Sequence, residues 1–234
     1  MSSKGRKRKD AADSFSEYFP TPGWCVHRFI ERATFLPKGT WFEPCAGNGD
    51  IIQGVGDIRK SPIYWHANEL RSECEPALRK LANQVVIGSF LDWKIEPNAP
   101  KQFDVIITNP PFSLAMEVIT RSLQLADYVC MLLRLNYLGS TDRHAFFREM
   151  MPDVYVIPER PSFDGKGADS IEYAWFVWPQ PEQRKRSRGS FELLDTTPLA
   201  IRKKYKPLDF RPTAQMQLLQ SHGLLPAGTT PPEG

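Results

Sequence analysis

The chain has 234 residues, of which 41% are hydrophobic and 24% charged, and a formal net charge of +3. This is the size and balance of one globular domain with short additions, and the small positive charge permits nucleic-acid binding without requiring it. No stretch approaches the ~20 apolar residues of a membrane helix. Cys25, Cys45, Cys74 and Cys130 form no CxxC pair, and His27, His66, His144 and His222 form no HExxH, so reduced thiols and no metal site are expected.

Residues 1–13 include Lys4-Gly5-Arg6-Lys7-Arg8-Lys9 and read as a basic, disordered tail, able to hold phosphate by charge or to serve as a solvated end. No apolar h-region follows, which argues against a secretory leader and for a chain that works in the cytoplasm.

Residues 14–180 read as one catalytic domain. Short apolar runs at 39–43, 63–70, 84–90, 103–108, 128–133, 153–157 and 171–178 predict strands. Helical spacing at 72–82, 114–126 and 141–150 falls between them. Val105-Ile106-Ile107 is continuously apolar, as in a strand buried on both faces, so the sheet is expected to be mostly parallel. Alternating strands and helices predict an α/β, doubly wound, Rossmann-like fold with seven strands. No helix separates the last two runs. The Pro- and Gly-containing loop at 160–170 predicts a hairpin and an antiparallel strand at one edge.

Residues 181–234 read as a basic, Pro-rich extension. They carry Arg184-Lys185-Arg186-Ser187-Arg188 and Arg202-Lys203-Lys204-Tyr205-Lys206, helical spacing only at 216–219, and a Pro/Gly/Thr-rich end.

In an open α/β sheet, ligands bind where the strands end. The first strand runs into Glu43-Pro44-Cys45-Ala46-Gly47-Asn48-Gly49-Asp50, whose small residues let a ligand approach backbone N–H groups at a helix start. It is not the dinucleotide fingerprint, because Ile52 stands where a third small residue would fall. Glu69 lies 22 positions beyond Gly47, at the end of the second strand, where a carboxylate can take both ribose hydroxyls. Together the two suggest an adenosine-containing cofactor.

The sharpest signal is Asn109-Pro110-Pro111-Phe112, after the fourth strand. The prolines stiffen the turn and donate no hydrogen bond, leaving the Asn109 side-chain carbonyl and the Pro110 carbonyl as acceptors. A planar amino group has the two donors that suit them, and Phe112 offers a face for a base.

With these motifs in order, the sequence resembles the amino-group methyltransferases of the DNA N6-adenine type, close to the small phage and prophage enzymes of gamma-like motif order. The resemblance covers residues 15–178. The cofactor loop matches Glu43–Asp50, the catalytic motif matches Asn109–Phe112, and an N-terminal cofactor motif matches Tyr18-Phe19-Pro20-Thr21-Pro22. It implies S-adenosyl-L-methionine as cofactor and direct in-line transfer to adenine in single-stranded or flipped-out DNA. It also implies Tyr18 and Thr21 at the cofactor, with Thr21 at the methionine carboxylate. Glu43, Pro44, Cys45, Ala46, Gly47 and Gly49 would line the methionine, Glu69 the ribose, and Ser89 and Phe90 the adenine. Phe112 and Phe163 would hold the two faces of the target base. Two features depart from the family: Ser89 stands where an Asp is frequent, and the residues given after Trp178 are not expected to form a target-recognition domain. Methylation of adenine in RNA or of a protein glutamine, a non-catalytic nucleic-acid-binding module, and a nicotinamide enzyme remain as alternatives.

Overall fold

The structure is a computed structural model, and it describes residues 17–93, 101–163, 167–180 and 189–205. The basic runs at 1–13 and 184–188 and the stretch at 216–219 lie outside the described residues.

In chain order the strands are β1 (Gly39–Glu43), β2 (Ile63–Glu69), β3 (Gln84–Ile87), β4 (Phe103–Thr108), β5 (Ala126–Arg134), β6 (Asp153–Val156), β7 (Tyr173–Pro179) and β8 (Phe191–Leu193). The helices are α1 (Gly23–Arg32), α2 (Asp50–Ile58), α3 (Glu75–Leu78), α4 (Ala115–Leu125), α5 (His144–Glu149) and α6 (Leu199–Arg202). One sheet joins the strands in the order β3-β2-β1-β4-β5-β7-β6-β8. β3, β2, β1, β4 and β5 run parallel, and β7 is antiparallel to both β5 and β6.

The alternation of side chains along a strand divides the core into two layers. Trp41, Val105, Ile107, Cys130, Leu132, Trp175 and Val177 point to one face, beneath α1 and α2. Phe42, Ile106, Val129, Met131, Leu133, Phe176 and Trp178 point to the other, beneath α4 and α5. Every residue of β7 is buried, which suits a strand enclosed by neighbours on both sides and layers on both faces.

The sequence reading assigned no helix to residues 23–32. Trp24, Val26, Phe29 and Ile30 there form the buried face of α1, and each contributes roughly 1.5–3 kcal/mol by leaving water. Phe29 stacks on Trp175 at 4.8 Å, and the Trp175 indole donates to the Cys25 carbonyl at 3.1 Å. The expected helix at 72–82 is shorter in the structure, a 3-10 turn over Ser72–Cys74 followed by the four residues of α3.

The seven expected strands are present, and β6 with β7 makes the antiparallel pair. An eighth strand, β8, extends the sheet outward by pairing parallel to β6. Its three residues are too few to show a period. Its place is held from outside: Ser190 donates through N and Oγ to Asp153 Oδ1 at 2.6 and 2.7 Å, and Leu194 and Thr197 are buried just beyond it.

Candidate active site

The strand order reverses at β1, which has β2 on one side and β4 on the other. Such a switch point opens a crevice at the carboxyl ends of the strands. A small pocket lies there. Its walls come from the chain ends of β1 (Glu43, Cys45, Ala46, Gly47), β2 (Glu69, Arg71) and β4 (Asn109, Pro111). The segment Glu17-Tyr18-Phe19-Pro20-Thr21 and the first residues of α2, Asp50 and Ile51, complete them.

The loop after β1 turns through two left-handed glycines. Gly47 has φ 52° and Gly49 φ 88°, a region that an L side chain enters only with strain. A Cβ on Gly47 would lie 3.4 Å from Tyr18 Cε2, and one on Gly49 would lie 2.5 Å from Leu81 Cδ1. The first glycine keeps the backbone open towards Tyr18, and the second lets α2 start close against α3.

Glu69 closes this loop. Its Oε2 accepts from Gly47 N at 2.8 Å, while Oε1 accepts from Arg71 N at 3.0 Å and from Arg71 Nη1 at 2.9 Å. The Arg71 guanidinium lies 5.1 Å from the Tyr18 ring centre, and the Tyr18 hydroxyl accepts from Asn48 Nδ2 at 2.7 Å. Glu43 is 1% exposed, and its Oε2 has no hydrogen-bond partner. Burial, reinforced by Asp50 and Glu69, holds its carboxyl well above the usual carboxylate range. Burial also pushes Asp50 up to about 6. With Glu43 held towards its neutral form and Glu69 paired with Arg71, Asp50 is the pocket carboxylate that can face a ligand's positive charge.

Beyond β4, Pro110 and Pro111 supply no N–H to continue the ladder, so the strand stops at Thr108 and Asn109 begins a turn. Asn109 Nδ2 donates to Thr21 Oγ1 at 3.1 Å and to the Phe19 carbonyl at 3.3 Å. Its Oδ1 is buried and has no hydrogen-bond partner. Ser113 N donates to Glu17 Oε2 at 3.1 Å, a second tie between this turn and the N-terminal segment.

Of the residues singled out in the sequence, Tyr18, Thr21, Glu43, Cys45, Ala46, Gly47, Glu69, Asn109 and Pro111 line this one pocket. Pro44, Gly49, Ser89, Phe90, Pro110, Phe112 and Phe163 lie outside its lining. Pro44 and Gly88 each accept through their carbonyls from Asn68 Nδ2. Ser89 Oγ accepts from Leu91 N at 3.2 Å, and Phe90 is 4% exposed, packed edge-on to Phe42. Phe112 carries the Arg134 guanidinium 4.5 Å from its ring centre. Phe163 is 6% exposed and packs edge-on to Tyr173 at 5.0 Å. The half-exposed Phe19 ring touches both, at 5.5 Å from Phe112 and 6.0 Å from Phe163. Sequence reasoning missed Arg71 and gave Asp50 no role beyond ending the cofactor loop. Their only local signals are an acid at a helix start and a base two residues past Glu69.

No family model and no curated protein matches the chain. Solved structures do. The chain matches a candidate class I S-adenosylmethionine-dependent methyltransferase from Listeria monocytogenes with a TM-score of 0.55 at 10% identity, over 82% of this chain and 70% of that one. The fold is that of the class I methyltransferases. The 23S rRNA methyltransferase ErmE matches with a TM-score of 0.51 at 16% identity, over 73% and 71% of the two chains. The modification subunit of a candidate type I restriction enzyme from Vibrio vulnificus matches with a TM-score of 0.53 at 16% identity. That match covers 90% of this chain and 54% of the subunit, so the chain spans about half of its length. Among the described residues, no helix is long and apolar enough to cross a membrane, and no group of three His, Cys, Asp or Glu could hold a metal ion.

Proposed function

We propose that the chain is an S-adenosylmethionine-dependent methyltransferase acting on the N6 amino group of adenine in DNA. The observation that carries this reading is the Asn109 amide. Its nitrogen is tied back to Thr21 and Phe19, and its oxygen is left without a partner on a turn beside the switch-point pocket. A buried acceptor with nothing to accept from costs about 1–3 kcal/mol, which a donor brought by a ligand would recover.

The pocket fits the cofactor chemically. The Asp50 carboxylate suits the positive charge of such a ligand, and the absence of a side chain at Gly47 allows close approach. Tyr18, Thr21, Glu43 and the loop through Gly47 would hold the methionine end, and Glu69 the ribose. When bound there, S-adenosylmethionine supplies an electrophilic methyl group.

The chain's own contribution is hydrogen bonding and position. The N6 lone pair of adenine is delocalised into the ring. Accepting the two N–H bonds at Asn109 Oδ1 and the Pro110 carbonyl favours a pyramidal nitrogen whose lone pair is localised. That stabilisation grows towards the transition state. No covalent enzyme intermediate is required. Phe112 and Phe163 are assigned to the two faces of the base, which reaches the site only from a single strand or flipped out of the duplex. Arg202, Lys203 and Lys204, at the end of the described chain, are assigned to phosphates. Such a reaction belongs in the cytoplasm, where DNA and cofactor meet.

Two of the similar solved structures, named as a 23S rRNA methyltransferase and as a restriction-enzyme modification subunit, support a nucleic-acid substrate. The test is methyl transfer from labelled S-adenosylmethionine to unmethylated DNA, RNA and a glutamine peptide, with nucleoside analysis of the product. N6-methyladenine in DNA, lost in Asn109→Ala, supports the reading. Label in RNA or peptide alone, or cofactor binding with no transfer, overturns it.

A further inference from the structure

We infer that Thr21 is a positioning residue that steadies the Asn109 amide in the orientation the Phe19 carbonyl selects and links it to occupancy of the cofactor pocket. The inference rests on the proposed function for its catalytic meaning, and on geometry alone for the contact.

An asparagine amide can turn over, exchanging its donor and acceptor ends. Here the two partners are not equivalent. The Phe19 carbonyl can only accept, so it demands Nδ2 and repels Oδ1. The Thr21 hydroxyl can accept or donate, and at 3.1 Å it accepts the second N–H of the same nitrogen. With both donors taken by residues of the N-terminal segment, Oδ1 is turned to the opposite side, where it is buried and has no partner. The acceptor end is thus set in advance, before any substrate amine arrives.

A hydroxyl that accepts from Asn109 keeps its own proton to give away. Thr21 is 3% exposed, lines the pocket, and makes no other hydrogen bond among the described residues. A ligand carboxylate in the pocket can receive that proton. Donating to an anion polarises the hydroxyl and strengthens it as an acceptor, so the Nδ2 contact tightens when the carboxylate is bound. Thr21 would thereby serve both ends of the site: it holds the cofactor's carboxylate and steadies the group that receives the target amine.

The experiment compares wild type, Thr21→Ser, Thr21→Val and Asn109→Ala, with Thr21→Ala added where valine disturbs folding. The first readout is hydrogen exchange of the Asn109 side-chain amide by nitrogen-15 NMR, the signal being assigned by its loss in Asn109→Ala. It is taken with and without S-adenosylhomocysteine. Exchange is expected to be slow in wild type and Thr21→Ser and slower still with ligand. Removing the hydroxyl is expected to speed it about ten-fold, the scale of one hydrogen bond. The second readout is the split between kcat and the KM for DNA. Thr21→Val is expected to lower kcat about ten-fold with KM for DNA unchanged, and Thr21→Ser to restore it. Exchange or kcat unaltered in the hydroxyl-less variants, or no rescue by serine, overturns the inference. A wild type that methylates no DNA overturns the proposed function instead, and the exchange measurement still decides the Thr21–Asn109 link.

Discussion

The backbone N–H of Gly47 donates to Glu69 Oε2 at 2.8 Å, which ties the turn after the first strand to the end of the second. The other carboxylate oxygen faces Arg71, and this ion pair is buried, with side chains 3% and 6% exposed. One side chain therefore fixes the shape of the pocket wall and neutralises a buried cation.

Glu69→Ala is expected to lower stability by about 3–5 kcal/mol, because it strips a buried guanidinium of its facing carboxylate. Glu69→Gln keeps the shape and an acceptor for Gly47 N, and is expected to cost less. Urea unfolding ranks the two, and calorimetry with S-adenosylhomocysteine should show weaker binding in both.

Asp50 gives the pocket a pH dependence. Burial raises its carboxyl from 3.8 to about 6. The fold disfavours the ionised form, so the group's contribution to stability is complete below its unfolded value and is lost as pH rises through about 6. Wild type should therefore lose on the order of 2 kcal/mol relative to Asp50→Asn between pH 4 and 7. A ligand with positive charge reverses the balance. S-adenosylmethionine binding should tighten across the same interval, and Asp50→Asn should flatten the change.

The glycines around α2 are predicted to differ in sign. Gly49→Ala puts a Cβ 2.5 Å from Leu81 Cδ1 at φ 88° and should destabilise by roughly 1–3 kcal/mol. Gly56 lies inside α2 with nothing within 4 Å of an added Cβ. Gly56→Ala should therefore stabilise by roughly 0.5–1 kcal/mol. Thermal melts of the two variants check both directions.

Neighbouring leucines beyond β6 make a similar contrast. Leu194 is 5% exposed and belongs to the core, whereas Leu193 is 67% exposed. Leu194→Ala should cost about 2–5 kcal/mol and Leu193→Ala within about 0.5 kcal/mol. Equal losses would mean that the segment after residue 189 does not dock as described.

The parts of the site legible in the sequence were those whose chemistry is local. The Asn109-Pro110-Pro111 turn sets its own conformation, because two prolines remove donors and fix φ. The glycines at 47 and 49 mark a turn that a side chain would strain. Apolar runs such as 103–108 showed their strands because burial on both faces demands continuous hydrophobes. Glu69 was found through its spacing from Gly47, and Thr21 through the family resemblance.

What the sequence did not show depends on segments far apart in the chain. Asn109 Nδ2 meets Thr21 across 88 positions, and no local pattern encodes which end of an amide will face a pocket. The half-exposed Phe19 stands against both Phe112 and Phe163, a relationship set by how the N-terminal segment lies over the sheet. β8 exists only because β6 presents an edge to pair with and Asp153 captures Ser190. By itself the sequence determined a switch-point α/β sheet with an acceptor turn after its fourth strand, since strand burial and proline chemistry act within a few residues. Only the tertiary structure decided that Asn109 turns its oxygen free and that the Asp50 and Glu43 carboxyls are raised above their usual range, because desolvation and long-range hydrogen bonds arise when separate segments pack together.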